Sequence, residues 1–383
     1  MENARRLKIL GDILGWDDEK AREEFAWLRM MASIKFDEYR DFLPGMRFFE
    51  NLAAWLQQFE TLDERLEAYR FLREELIYVS SSEMQRLVEL LYPCHIQRYL
   101  IKRIAQKLKI PKYMVQVDPK ARDEFKRLRR RTLVMGLSDG ARIDILRHST
   151  VGILSNEQFV LQTQVDHFKW ADLRKDLRKE KDQGKEALFD VIYLVDDFMG
   201  SGSSFLRLEE DRWKGKLCKF LDSLRDAEEK EGKIVSAEWA LCVHHYLAMK
   251  ESAAGVPQKE LDARACQKNG VVLEQASRYT FGAQIDSAVR IVKDDPKRKE
   301  LLALTEKYYS TKVETKHTEI GGTKGIKLGY GSCGLPIVLH HNTPNNSLPL
   351  IWADEEAGPH KGEEQREVRA LFRRRQRHSE SQA

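Results

Sequence analysis

The sequence predicts an α/β protein: a mostly parallel sheet with flanking helices, preceded by a helical N-terminal region. Three observations carry this. Apolar residues recur at helical spacing through the first third of the chain. From Thr132 onward, short apolar runs alternate with helical patterns, as strand–helix–strand units require. One such run, Ile192-Tyr193-Leu194-Val195, is apolar throughout rather than alternating, as a strand covered on both faces must be.

The elements follow in order. Phe48, Phe49, Leu52, Trp55, Leu56 and Phe59 mark one helical face. Thr61-x-x-Glu64 reads as a capping box, and Leu62, Leu66, Tyr69, Leu72 and Leu76 line the helix behind it. Ser80-x-x-Glu83 opens another helix, which Pro93 should end, and Pro111 and Pro119 break the next stretch. Strands are expected over 132–137, 191–195, 237–243, 271–274 and 335–340. Helices are expected over 157–179, 214–230, 246–252 and 297–308. Residues 1–125 should form the helical region and 126–355 the α/β domain. Residues 356–383 read as a charged, flexible tail, made basic by Arg369, Arg373, Arg374, Arg375 and Arg377.

Composition bounds the function. The chain has 383 residues, 42% of them hydrophobic and 33% charged, which fits a globular protein of two or three units. Lys and Arg number 65 against 61 Asp and Glu, a balance that by itself names neither a nucleic acid nor a membrane partner. No apolar run reaches the roughly 18 residues of a membrane span. The first residues are charged and amphipathic, so no signal peptide is expected. Five cysteines without a CxxC pair argue against a disulfide framework and a zinc site, and fit a reducing cytoplasm. None has a neighbour pattern that marks a nucleophile.

The most informative segment runs Val191-Ile192-Tyr193-Leu194-Val195-Asp196-Asp197-Phe198-Met199-Gly200-Ser201-Gly202-Ser203-Ser204. It reads as a buried strand, two carboxylates at its end, a small-residue loop and then a helix. Gly200 and Gly202 allow a tight turn and close approach of a ligand. Amides at the start of that helix, with the hydroxyls of Ser201, Ser203 and Ser204, can cradle a phosphate. Asp196 and Asp197 accept hydrogen bonds when ionised, which suits sugar hydroxyls or a hydrated magnesium ion. A Walker-type ATPase is excluded, because no GxxxxGK[ST] occurs. A receiver domain also ends a strand in acids, but no phosphate loop follows directly.

This segment resembles the phosphoribosyltransferase signature: four hydrophobic residues, an acidic pair, two or three variable residues, then a Thr/Ser-Gly-x-Thr/Ser loop. The resemblance implies a type I phosphoribosyltransferase-like sheet and phosphoribosyl pyrophosphate with magnesium. Asp196 and Asp197 would be the catalytic acids on the ribose 2- and 3-hydroxyls, holding the metal through water. Gly200, Ser201, Gly202, Ser203 and Ser204 would bind the 5-phosphate. Two departures stand out. Gly200 occupies the place of an acidic residue in purine-specific members, and serines replace the usual threonines.

Two further strand ends carry polar residues. Ser138, Asp139 and Gly140 lie where phosphoribosyltransferases keep a pyrophosphate loop, and read equally as an ordinary turn. His341, Asn342, Asn345 and Asn346 belong to a late His-Asn-Thr-Pro-Asn-Asn run, which is turn chemistry and also a set of donors and acceptors suited to a base or sugar. Together these motifs resemble the phosphoribosyltransferase-like (PRTase-CE type) proteins of bacterial conflict and antiphage defence systems, including retron-type loci. The resemblance runs to about Trp352 and implies defence-system proteins as partners.

From Arg98 to Arg131 there are 13 Lys/Arg and 3 Asp/Glu, with Tyr99, Tyr113 and Phe125 interleaved. This reads as a solvated helix face or as a nucleic-acid contact. His244 and His245 follow a strand and read as satisfied or solvated histidines, or as site-facing ones. The sequence therefore leaves open a glycosyl-transfer or hydrolysis enzyme, a non-catalytic nucleotide sensor, and an interaction subunit of a defence complex.

Overall fold

The computed structural model describes residues 3–180, 182–265, 277–314, 318, 325–354 and 368–374. The chain forms two compact units. One comprises Met1–Glu83 with Ser287–Ala383, the other Met84–Asp286. The expected boundaries at 125 and 355 do not coincide with these limits. Residue 125 lies inside the helix Pro119–Arg130, and described residues between Ile291 and Phe372 share a core with the first eighty. In chain order the strands are β1 (Ile77–Val79), β2 (Thr132–Gly136), β3 (Phe159–Val160), β4 (Phe189–Met199), β5 (Arg207–Glu209), β6 (Arg212–Lys214), β7 (Val235–Met249), β8 (Arg278–Ile285) and β9 (Ile337–Leu339).

The first unit is mainly helical. The capping box forms as expected: Thr61 Oγ1 accepts from Glu64 N at 3.2 Å, and Glu64 Oε2 accepts from Thr61 N at 3.1 Å. Glu64 also accepts from Tyr308 Oη at 2.8 Å and from Lys307 Nζ at 2.6 Å, joining the N-terminal helices to the helix Lys299–Lys307. Burial opposes its ionisation, but these bonds outweigh it and hold its pKa at about 2. The expected strand at 335–340 exists as β9. Its partner is β1, in a two-stranded parallel ladder separate from the larger sheet.

The tail residues 368–374 are ordered against this core. Leu371 and Phe372 are fully buried, and the Phe372 ring lies 5.2–5.9 Å from those of Phe36, Tyr39, Phe42, Phe48 and Tyr78. Phe372 N donates to Ile351 O at 2.9 Å, and the Gln58 amide bonds both N and O of Arg369. The apolar trio Val368, Leu371 and Phe372 explains why this part of a basic tail packs. Arg375 and Arg377 lie outside the described residues.

The second unit is built on a five-stranded parallel sheet of order β3-β2-β4-β7-β8. Helices His167–Lys179 and Lys216–Glu231 cover one face through Trp170, Leu173, Phe220 and Leu224. On the other face Tyr99 and His95 meet Tyr193 and His244. The apolar runs at 132–137, 191–195 and 237–243 lie in β2, β4 and β7. The expected strand at 271–274 lies outside the described residues.

Several expectations are corrected. Residues 246–249 continue β7 rather than opening a helix, because all four are buried and Leu247, Ala248 and Met249 pair with β8; the helix begins at Lys250. The helix expected from 157 begins at His167, where the Asp166 carboxylate caps Lys169 N. Pro93 does not end its helix. It sits in a π-helical turn, Leu91–Ile96, whose wider winding tolerates the missing donor before the helix resumes as Gln97–Leu108. Pro119 starts a helix, as its fixed φ favours.

Two outcomes check this packing. Phe372→Ala should destabilise the first unit by about 3–5 kcal/mol, read by chemical denaturation of the full chain. Glu64→Gln should lower stability at neutral pH. Because the folded pKa of Glu64 is depressed, that deficit should shrink as pH falls from about 4.5 toward about 2, and a pH-independent deficit would assign Glu64 a packing role instead.

Candidate functional site

The strand order reverses at one place. From β2 the chain moves outward to β3, while from β4 it moves the other way to β7 and β8. In parallel sheets ligands sit beyond the carboxyl ends of the strands at such a reversal. The turn after β2 holds Ser138–Gly140; Asp196–Met199 are the last residues of β4, which runs four residues past the expected end at Val195, and Gly200–Ser204 form the turn behind it. Strands β2 and β4 pair from Thr132↔Val191 to Gly136↔Val195, and Leu137 N donates to Val195 O at 2.8 Å. The structure therefore brings together two motifs lying almost sixty residues apart in sequence.

Asp196 and Asp197 point to opposite faces of the sheet, as successive strand residues must. Asp196 is 3% exposed. It accepts from the Ser138 hydroxyl and from Lys216 Nζ, the latter at 2.5 Å. Burial raises its pKa, with the Asp197 charge adding to that, while Lys216 and Ser138 oppose the shift. Asp197 is half-buried, and its Oδ1 accepts from Phe198 N at 2.8 Å. Its carboxylate lies against Gly140, where an added Cβ would fall 2.2 Å from Oδ2. A side chain at 140 would have to displace the Asp197 carboxylate. Tyr246 Oη donates to Ala141 O at 3.0 Å and holds the same turn. Arg142, next in the turn, has a left-handed φ of 51°, a strained geometry for a residue with a Cβ.

The Gly200–Ser204 segment forms a compact turn. Gly202 has φ +75°, and its carbonyl accepts from Phe205 N and Leu206 N. Ser201 Oγ donates to Ser203 Oγ at 3.1 Å and accepts from Ser203 N at 3.3 Å. The next element is not the expected helix. A hairpin, β5–β6, intervenes, and the helix starts only at Lys216. Its first amides are already used: Lys216 N donates to Ser204 O at 3.1 Å and Leu217 N to Phe205 O at 3.2 Å. Helix amides therefore do not supply a phosphate cradle here, and the loop's own amides and hydroxyls remain.

Sequence reasoning missed Lys216. It follows the acidic pair by 20 positions and looks like any helix-face lysine. His245 lies beside Asp196 on β7, with its ring between those of Phe205 and Phe281. Burial, aided by Lys216, depresses its pKa to about 3, so it is neutral. His244 faces the other side of the sheet and its Nδ1 pairs with Thr280 Oγ1 at 2.9 Å.

The late motif belongs to the first unit. Asn346 is buried, and its amide donates to Tyr330 O and Cys333 Sγ. Asn342 exchanges backbone bonds with Leu339, and Asn345 O accepts from Tyr330 N. His341 and Asn345 are half-buried. In the basic stretch, several cations have intrachain partners. Arg103 donates to Asp190 O and Glu238 O, Lys107 and Arg127 pair with Glu124, and Arg130 pairs with Glu180. No cluster of three or more His, Cys, Asp or Glu able to hold a metal occurs among the described residues, and none of their helices is long and apolar enough to cross a membrane.

Residues 52–374 match the PRTase-CE family. The chain belongs to that family. No curated protein and no solved structure matches it. The PRTase-CE match contains the acidic pair, the Gly–Ser turn, the 138–140 turn and the late motif.

The contact between Gly140 and Asp197 is testable without a ligand. Gly140→Ala should cost about 1–3 kcal/mol of stability by overpacking. In a double-mutant cycle, Asp197→Ala should recover most of that loss. Additive effects in denaturant melts would show that the turn yields instead.

Proposed function

We propose that the second unit binds a ligand carrying a ribose 5-phosphate, namely phosphoribosyl pyrophosphate or a nucleotide, at the reversal between β2 and β4. The observation that carries this reading is the convergence there of a carboxylate pair, a Gly–Ser turn and the glycine-containing 138–140 turn. The turn's hydroxyls and amides would hold the phosphate. Asp197, half-buried at the strand end, would take a ribose hydroxyl. Magnesium, where the ligand brings it, would be held through water by Asp197, because the charge of Asp196 is already met by Lys216. It would supply charge neutralisation to a departing pyrophosphate.

With such a ligand the chain would make or break a glycosidic bond. The fixed phosphate would hold the sugar in place, and the Asp197 charge would stabilise cationic character at the ribosyl carbon. A second reading, a nucleotide sensor without chemistry, is favoured by Gly200, which offers no side chain for acid–base work, and by the burial of Asp196 in an ion pair. In both versions the protein serves as an effector or regulator of antiphage defence with other proteins of its system, a role supported by the resemblance to conflict-system proteins.

Calorimetry with phosphoribosyl pyrophosphate and nucleoside 5-monophosphates tests the site. Ser201→Ala/Ser204→Ala and Asp197→Asn should each weaken binding by about one to two orders of magnitude, with the thermal unfolding transition nearly unchanged. Unaltered affinity would place the ligand elsewhere. In phage-challenge assays Asp197→Asn should abolish protection. Release of a base or pyrophosphate by the wild type, lost in Asp197→Asn, would decide for the enzyme.

A further inference from the structure

Lys216 is tied to both parts of the proposed site. Its backbone amide is bonded to the carbonyl of Ser204, the last residue of the Gly–Ser turn, at 3.1 Å. Its ammonium donates to Asp196 Oδ2 at 2.5 Å. The two partners differ in access: the Asp196 side chain is 4% exposed and the Lys216 side chain 29%. Among the described residues, Lys216 is the one cation within ion-pair distance of Asp196. His245, beside Asp196 on the same face, does not replace it. That imidazole is neutral, buried between two aromatic rings, and its Nδ1 has no hydrogen-bond partner among the described residues.

A buried carboxylate stripped of its cation is strongly destabilised unless something else satisfies it. A lysine ammonium is a compact charge with three donors on a flexible stem, suited to changing partners while its backbone stays fixed. A phosphomonoester near Ser204 presents more negative charge than one carboxylate.

We propose that Lys216 is a shared counter-ion that couples anion capture in the Gly200–Ser204 turn to the unmasking of Asp196. A phosphate entering the turn draws the ammonium away from Asp196, and the freed carboxylate accepts a hydroxyl of the same ligand's sugar. Phosphate alone gains the lysine but leaves Asp196 bare. Sugar alone finds Asp196 occupied. A sugar phosphate satisfies both groups at once, so the turn selects for the joined ligand over either fragment. Lys216 is thus a specificity-determining residue, and this inference rests on the reading of the site given above.

Titration calorimetry on the full chain tests it, with inorganic phosphate and ribose 5-phosphate as probes. The wild type should bind ribose 5-phosphate well and inorganic phosphate poorly. Asp196→Asn removes the competitor for Lys216. It should therefore tighten inorganic phosphate by about tenfold, the order of one charge-assisted hydrogen bond, while weakening ribose 5-phosphate. A role for Asp196 in folding alone would move both affinities in the same direction. Lys216→Met should weaken both probes, and this arm remains decisive should the asparagine variant fail to fold. Wild-type binding of ribose 5-phosphate with inorganic phosphate unimproved in Asp196→Asn, or with Lys216→Met unaffected, overturns the coupling and leaves the site standing. A wild type that binds ribose 5-phosphate no better than inorganic phosphate overturns the coupling. A wild type that binds neither probe nor phosphoribosyl pyrophosphate overturns both.

Discussion

The parallel register between β2 and β4 is the constraint on which the candidate site depends. It places Gly136 opposite Val195, and the ladder extends one step further through Leu137. The 138–141 turn then has nowhere to go but over the acidic pair. A slip of one residue would exchange Asp196 and Asp197 between the faces of the sheet, because side chains alternate with a period of two. The register is enforced by burial on both sides. Leu133, Met135, Ile192 and Leu194 belong to the core under the helices, and Val134 and Tyr193 are buried with them. Hydrophobic packing many residues upstream thus decides which carboxylate meets Lys216 and which meets Gly140.

The two carboxylates occupy different physical environments as a result. Asp196 faces Ser138, Lys216 and the His245 strand position, and desolvation sets its behaviour. Asp197 faces the 138–141 turn and keeps access to solvent. A signature that reads as two equivalent acids becomes one buried charge paired with Lys216 and one half-buried charge at the 138–141 turn. The difference comes from neighbours that no local motif contains.

The legible parts of the sequence were those whose cause is local or strongly periodic. The apolar runs of β2, β4 and β7 are legible because a central parallel strand must be hydrophobic on both faces. The Thr61–Glu64 box is legible because both partners lie within one helical turn. The β5–β6 hairpin was not. Its turn residues Glu210 and Asp211 take positive φ without the Asn-Gly or Asp-Gly pair that marks such hairpins. The pairing of β1 with β9 was equally hidden, since some 260 residues separate the strands and nothing in either names the other. Of the candidate site, the 138–140 turn, the acidic pair and the Gly–Ser turn were legible as motifs, but Lys216 was not, because its position is set by where the inserted hairpin returns the chain.

That insertion changes how an anion would be held. In a strand–loop–helix arrangement the helix N-terminus offers free amides and a partial positive charge. Here Lys216 N and Leu217 N are spent on Ser204 O and Phe205 O, and Lys219 N is spent on Gly215 O. The first two bonds fasten the helix to the loop, the third is the helix's own first turn, and these amides are removed as ligands. Attraction for a phosphate must then come from the loop amides, the serine hydroxyls and a side-chain cation. Among the described residues, two cations adjoin the loop: Arg207, whose guanidinium donates to Ser203 O at 3.4 Å, and the lysine at the first helical position, whose charge in the proposed reading is drawn from Asp196. Closing the helix terminus and burying an acid beside a lysine are therefore two parts of one arrangement. The first removes a fixed, backbone source of positive charge, and the second puts a movable one in its place.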